Sequence, residues 1–246
     1  MKLLPIPVGA SATAEKRAAR AGVGRPRKIE GENVESATRI LDAAEQLFAR
    51  HGFYGVSVRA VADHAGVNTA LAHYYFRTKL GLFDAVFLRR AEVINRDRLE
   101  AMERYEQALG EHMTVTGLIE SFLMPLLNRA LHSDPGWKNY FSILAQMNNS
   151  RDLGADTMTR YFDPLAQRLI DTLHKIMPEA RKEDLYWSYH MLSGALTLTL
   201  GDTARVDRLS NDLCRSSDID AIAPRMVQYC AAGFLAVCRP AAPLSE

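Results

Sequence analysis

Cysteine is scarce in this chain. There are three in 246 residues, Cys214, Cys230 and Cys238, an odd number, all late in the sequence and without zinc-type spacing. That excludes a disulfide scaffold or a cysteine metal site and suits a reducing cytoplasm. Glycine (15) and proline (10) are also few, and no run alternates apolar and polar residues with period two, so sheet is not expected. No run approaches the ~18 apolar residues of a membrane span, and no membrane partner is expected. The start, MKLLPIPVGASA, has the Lys2, short apolar run and Ala10-Ser11-Ala12 of an export leader, but Pro5, Pro7 and Gly9 interrupt the run. Catalytic signatures are missing as well. There is no G-x-S-x-G, H-E-x-x-H, P-loop or C-x-x-C, and His51, His64, His73, His112, His132, His174 and His190 lack ligand spacing. A protein that is not an enzyme, with no cofactor and no metal, is expected.

What the chain does have is an apolar content of 48%, enough for a real core, and an uneven charge. The net charge of +1 conceals 12 Lys/Arg against 7 Asp/Glu in residues 1–80 and 18 against 22 in the remainder. A basic front and an acidic back place any polyanion at the front. Residues 1–33 read as a flexible tail with an acid-free basic run, Lys16, Arg17, Arg20, Arg25, Arg27 and Lys28. The core Gly24-Arg25-Pro26-Arg27-Lys28 has two readings, an arm lying in a narrow A·T minor groove or a solvated basic tail.

Everything after residue 33 reads helical. Ala37, Ile40, Leu41, Ala44, Leu47 and Phe48 form an apolar stripe in a first helix over 34–50, ended by His51-Gly52. Ser57 caps a short helix to about His64, Ala65-Gly66-Val67 turn, and Asn68 caps a second short helix to about Tyr75. Thr78 opens a long helix to about Tyr105. Further helices are expected over 115–132 with a kink at Pro125, from Asp134-Pro135 to about Asn148, over 154–177 with a kink or split at Asp163-Pro164, over 181–201, and from Ser217 or Asp218 to about Cys238.

The two short helices have the form of a unit that enters a DNA groove. Ala62 is small where the helices would touch, and Gly66, four residues on, sits in the turn. Val58, Val61, Val67, Leu71 and Ala72 would face a small core, leaving Thr69, Ala70, His73 and Tyr74 outward, toward base edges. Ser57, Asn68, Tyr74 or Tyr75, and Lys79 suit the rim of the groove and its phosphates, with Lys79 in the first turn of the long helix.

Residues 35–95 resemble the DNA-binding domain of the TetR family of transcriptional regulators. The matching stretches are ILDAAEQLFARHGF at 40–53, SVRAVADHAGV at 57–67 and YYFRTKLGLFDAVF at 74–87. The resemblance implies an all-α fold with an amino-terminal three-helix helix-turn-helix domain and a carboxy-terminal helical effector-binding and dimerisation domain. The implied organisation is an arm at 1–33, the DNA-binding domain at 34–95 with its motif at 57–76, the second domain at 96–240 and a tail at 241–246. Where the family commonly has threonine and tyrosine, this chain has Leu71 and His73. ALAHYYF is similar instead to a subgroup reading Ala-apolar-apolar-Asn/His-Tyr-His/Tyr-Phe. The implied function is a homodimeric repressor that leaves a palindromic double-stranded operator when a small apolar effector, acyl or aromatic, binds the second domain.

For that domain, Phe122, Met124, Leu126, Trp137, Phe141, Met147, Tyr161, Phe162, Trp187 and His190 are candidate pocket residues, because methionine mixed with aromatics suits an adaptable apolar cavity. In the family, two late helices pair with their copies as a four-helix bundle. Here the faces Ser188, Met191, Leu192, Ala195 and Val227, Cys230, Ala231, Phe234 are the candidates, with Gly194 allowing close approach.

Overall fold

A computed structural model describes residues 30–239 apart from 133, 151, 152 and 154. The arginine-proline core at 24–28 and the tail at 241–246 lie outside the described residues. Among the described residues every regular element is helical.

The first helix, α1 (Glu30–His51), already includes the four residues before Val34. Ile40, Ala43, Ala44 and Phe48 are its buried stripe. Helix α2 (Val58–His64), helix α3 (Thr69–Phe76) and the amino-terminal part of α4 (Lys79–Leu109) close around that stripe. Helix α4 runs four residues past its expected end. It buries one face along its whole length, from Leu82 and Phe83 through Val86, Phe87, Ala91 and Ile94 to Arg98 and Met102. It therefore belongs to both halves of the molecule.

The second half contains α5 (Val115–His132), α6 (Pro135–Asn148), α7 (Ala155–Tyr161), α8 (Asp163–Ile176), α9 (Lys182–Leu200), α10 (Arg205–Leu209) and α11 (Ile219–Val237). Helix α5 stays helical through Pro125 and packs between α4 and α11, while α6 packs between α1 and α9. The stretch expected over 154–177 with a kink or split at Asp163-Pro164 divides at Phe162, since Pro164 in the first turn of α8 has no N–H to donate backwards. Helix α10 was not foreseen; five residues are too short for a period to register.

A polar clasp joins the two halves. The Glu45 carboxylate, buried in α1, receives Arg89 at 2.5 Å and Arg90 at 3.1 Å, both from α4. Arg89 also reaches Asp42 at 2.6 Å, and Arg90 reaches Asp134, the cap of α6, at 3.4 Å. The Trp137 ring lies between Arg90 (5.2 Å) and Arg129 (5.0 Å), and Arg129 is itself paired with Asp97 at 2.7 Å. Beside the clasp, α6 donates to carbonyls at the end of α1, one of which, Phe48 O, also accepts from Gly52 N at 2.9 Å. Ser142 donates to Ala49 O at 3.0 Å, and Gln146 to Phe48 O and Ala49 O at 3.3 and 3.4 Å. Thr157 donates to Asp84 (2.9 Å) and Asn95 to Tyr161 O (2.7 Å), tying α7 to α4.

Gly136 lets α6 approach this cluster. A Cβ there would lie 1.7 Å from Arg90 Nη2 and 2.7 Å from Glu45 Oε1. Arg90 could move aside only by giving up Glu45 and Asp134. Gly136→Ala is therefore expected to lower stability by about 1–3 kcal/mol, the usual cost of overpacking, read as an earlier denaturant midpoint. An unchanged midpoint would show that the close approach is not a constraint.

Candidate nucleic-acid interface

Helix α2 is fixed at both ends by local chemistry. The Ser57 hydroxyl accepts from Ala60 N at 3.1 Å. At the other end Val67 N bonds Ala62 O (3.0 Å) and Gly66 N bonds Asp63 O (3.2 Å), the paired closing bonds of a Schellman motif. That closure needs a left-handed residue, and Gly66 has φ +65°. An added Cβ at Gly66 would meet nothing within 4 Å, so the requirement is conformational rather than steric. Val61 and Ala62 are fully buried, and Val58 and Val67 pack on the core.

Asn68 caps α3 through Ala70 N at 2.8 Å. The helix meets the core through Ala72, fully buried, and through Tyr75 and Phe76. Leu71, expected in the core, is half-buried and stands apart from it, because the two rings take that contact. Ala70, His73, Tyr74 and Arg77 are exposed, whereas Thr69 is half-buried. Tyr74 is 77% exposed, with its ring edge-on to Tyr75 at 5.3 Å. Tyr75 is half-buried, and desolvation, then the neighbouring Tyr74, push its phenol pKa up. His73 Nδ1 lies 3.3 Å from Arg77 O. A carbonyl only accepts, so Nδ1 carries the proton and Nε2 is left as the second polar atom of the ring.

The junction between α3 and α4 is two residues, of which the first is strained. Thr78 N bonds Phe76 O at 2.6 Å across Arg77, whose φ of 58° and ψ of −56° are those of a classic γ-turn, rare for a side-chain-bearing residue. Thr78 caps α4 through Gly81 N at 2.9 Å. Lys79 follows in the first turn, half-buried, with Nζ 4.4 Å from the centroid of the Phe53 ring. Phe53 stacks against Phe48 (6.1 Å) and meets Phe83 edge-on (5.1 Å), so the lysine rests on a rigid aromatic platform. Ser57, Asn68, the outer side of α3 and Lys79 thus occupy consecutive positions around one helix-turn-helix, with the added cation Arg77 that the sequence pattern did not single out.

Residues 40–86 match the family described as "Bacterial regulatory proteins, tetR family", and residues 120–233 match "Tetracyclin repressor-like, C-terminal domain". The chain belongs to the TetR family of transcriptional regulators. Its similarity to individual members is partial. It is 37% identical over 97 residues to the HTH-type transcriptional regulatory protein RaaS of Mycobacterium tuberculosis, covering 39% of this chain and 44% of that one. It is 43% identical over 51 residues to the probable HTH-type regulator YttP of Bacillus subtilis, covering 21% and 25%. The matched stretches thus span less than half of these curated relatives. A solved TetR-family regulatory protein from Rhodococcus RHA1 shares the fold at a TM-score of 0.58 and 15% identity, over 81% of this chain and 96% of that one.

Within this TetR fold the expected pocket residues do not converge on one cavity. Phe122 and Phe162 border one cavity of about 180 Å³, Phe141 a separate cleft of about 610 Å³, and Met124 a third pocket. Leu126 and Met147 are buried core residues, Trp137 belongs to the clasp, and Tyr161 is half-buried with its carbonyl held by Asn95. Trp187 and His190 are exposed, edge-on to each other at 6.0 Å, and line no cavity described here.

The expected dimer face also needs correction. Val227, Ala231 and Phe234 are buried within the subunit, where α11 packs on α5 and α9, and are closed to a partner. Of the α9 residues, Met191 is 61% exposed and Ala195 half-buried. No helix among the described residues is long and apolar enough to cross a membrane.

The sequence reading missed Arg98 in the second half. Its signal is visible in the sequence, a charge falling in register with the apolar stripe Ala91, Ile94 and Met102. For the helix-turn-helix, Gly66→Ala is expected to cost about 1–2 kcal/mol, the penalty for a left-handed L-residue. Chemical denaturation measures it. A variant as stable as the parent would show that the turn does not need its positive φ.

Proposed function

We propose that this TetR-family protein is a homodimeric repressor that binds a palindromic operator through α3 and leaves it when a small apolar effector occupies the second domain. The observation that carries the DNA-binding part is the outer side of α3. Ala70, His73 and Tyr74 project from a helix whose start, end and seating are fixed by Asn68, Arg77 and Ala72. Small and hydrogen-bonding side chains on such a helix suit base edges in the major groove. Ser57, Tyr74 and Lys79 contact phosphates in this reading, and Thr69, being half-buried, acts at the edge of the contact. A dimer presents two such helices to half-sites about 34–36 Å apart.

The dimer face in this proposal lies on the outward sides of α9 and α11. Trp187, Met191, Gly194 and Leu198 are exposed at helical spacing on α9, and Tyr229, Ala232, Gly233 and Ala236 on α11. Nothing lies within 4 Å of a Cβ built on Gly194 or Gly233, which leaves room for another backbone. Large apolar side chains left in water around small residues support helix pairing between subunits.

Two measurements test these parts. On operator DNA selected from a random pool, Lys79→Ala should weaken binding evenly across sequences and reduce the salt slope by about 1, whereas His73→Ala should relax preference at one base position by about 1–3 kcal/mol. Unaltered affinity and preference in both variants would refute the docking. Met191→Glu should shift the protein toward monomer in sedimentation at micromolar concentration; an unaltered dimer would place the interface elsewhere.

A further inference from the structure

Among the described residues two charged side chains are buried, Glu45 and Arg98, and they are treated in opposite ways. Glu45 has two arginines. Arg98, 4% exposed in the middle of α4, has no carboxylate within ion-pair distance. Its Nε–H donates to Phe122 O at 3.0 Å, and its guanidinium lies over the Phe122 ring at 3.6 Å. A guanidinium carries five N–H donors in a planar fork, and its terminal nitrogens find no acceptor among the described residues. Burial lowers its pKa to about 10, with Tyr189 and Tyr140 opposing the shift, so it remains a cation at neutral pH. A buried cation with no carboxylate beside it is costly, and a bound anion would offset that cost.

Arg98 borders the cavity of about 180 Å³. The other walls are mixed: Phe122, Leu144, Met158, Phe162, Leu192 and Leu196 give an apolar side, and Asn148, Tyr189, Ser193 and Thr197 a polar one. The Tyr140 hydroxyl, within electrostatic reach of Arg98, is buried without a hydrogen-bond partner. Asp163 is an exposed acid of the lining that makes no ion pair with Arg98. One cation with a bidentate fork, next to an apolar wall, matches a single planar monoanion on an apolar body. A dianion would leave charge uncompensated, and a neutral ligand would leave the fork unpaired.

We propose that this cavity is a binding site for a small organic carboxylate, whose headgroup pairs with Arg98 and whose apolar body fills the space between α4, α5, α6, α7 and α9. The proposal rests on the reading that the second domain takes an effector, and it assigns that effector's chemical class and its anchoring residue. Hexanoate and benzoate are the probes, and 1-hexanol and benzyl alcohol their neutral counterparts. Calorimetry on the full chain should show each acid binding at least tenfold more tightly than its alcohol. Arg98→Met should abolish that preference, Arg98→Lys should keep it in weaker form, and Asp163→Asn should strengthen or preserve it. Circular dichroism checks that each variant is folded.

Binding of neither acid, or a preference that survives in folded Arg98→Met, overturns the proposal. So does a preference lost equally in Asp163→Asn. Operator release distinguishes the two readings. Release by a neutral compound with no acid bound keeps the effector reading and sinks the carboxylate. Acid binding through Arg98 without release keeps the carboxylate site and sinks its role as effector.

Discussion

The Glu45 carboxylate and its two arginines hold the molecule's halves in one arrangement. A carboxylate buried in the first helix would be unstable alone, because its lost hydration must be replaced. Arg89 and Arg90, adjacent on α4, supply that replacement from two directions, and Asp134 and Trp137 bring the start of α6 into the same cluster. Removing one partner from a buried pair typically costs about 3–5 kcal/mol, so α1, α4 and α6 are not free to separate one at a time. The seating of the recognition helix depends on this, since α3 rests on α1 and α4.

Around that centre the DNA-facing unit is built from local bonds rather than from bulk. Ser57, Asn68 and Thr78 each accept from a backbone N–H in the first turn of the helix they open, and Gly66 closes α2. These bonds set the angle of α3 and leave its outer side chains with little structural duty. The second half is different. Its distinctive group, Arg98, is held by one carbonyl and one aromatic ring.

The sequence reveals the parts of the fold that short-range chemistry determines. The caps at Ser57, Asn68, Thr78, Asp134 and Asp218 and the helix of 115–132 are legible because the residue that begins or fills each element also stabilises it locally. What the sequence hides is which side of a helix meets which neighbour. Val227, Ala231 and Phe234 form as good an apolar stripe for a partner subunit as for α5, and only the packing of α5 against α11 decides between them. Trp187 looks like a pocket residue by type, yet its place on α9 turns it to solvent. The clasp was equally hidden, since Glu45 and Arg90 are far apart in sequence and Gly136 signals nothing until Arg90 Nη2 is placed beside it.

Helix α4 has the mechanics of a beam on a fulcrum. At 1.5 Å per residue it is about 46 Å long. Arg90 grips it roughly 16 Å from Lys79 and roughly 12 Å from Arg98. A tilt of about 5° around that grip would move Lys79 by about 1.4 Å and Arg98 by about 1 Å in opposite directions, given those arm lengths. Because only Arg77 and Thr78 connect α3 to α4, closed by the γ-turn bond, α3 has little slack to absorb its share of the motion.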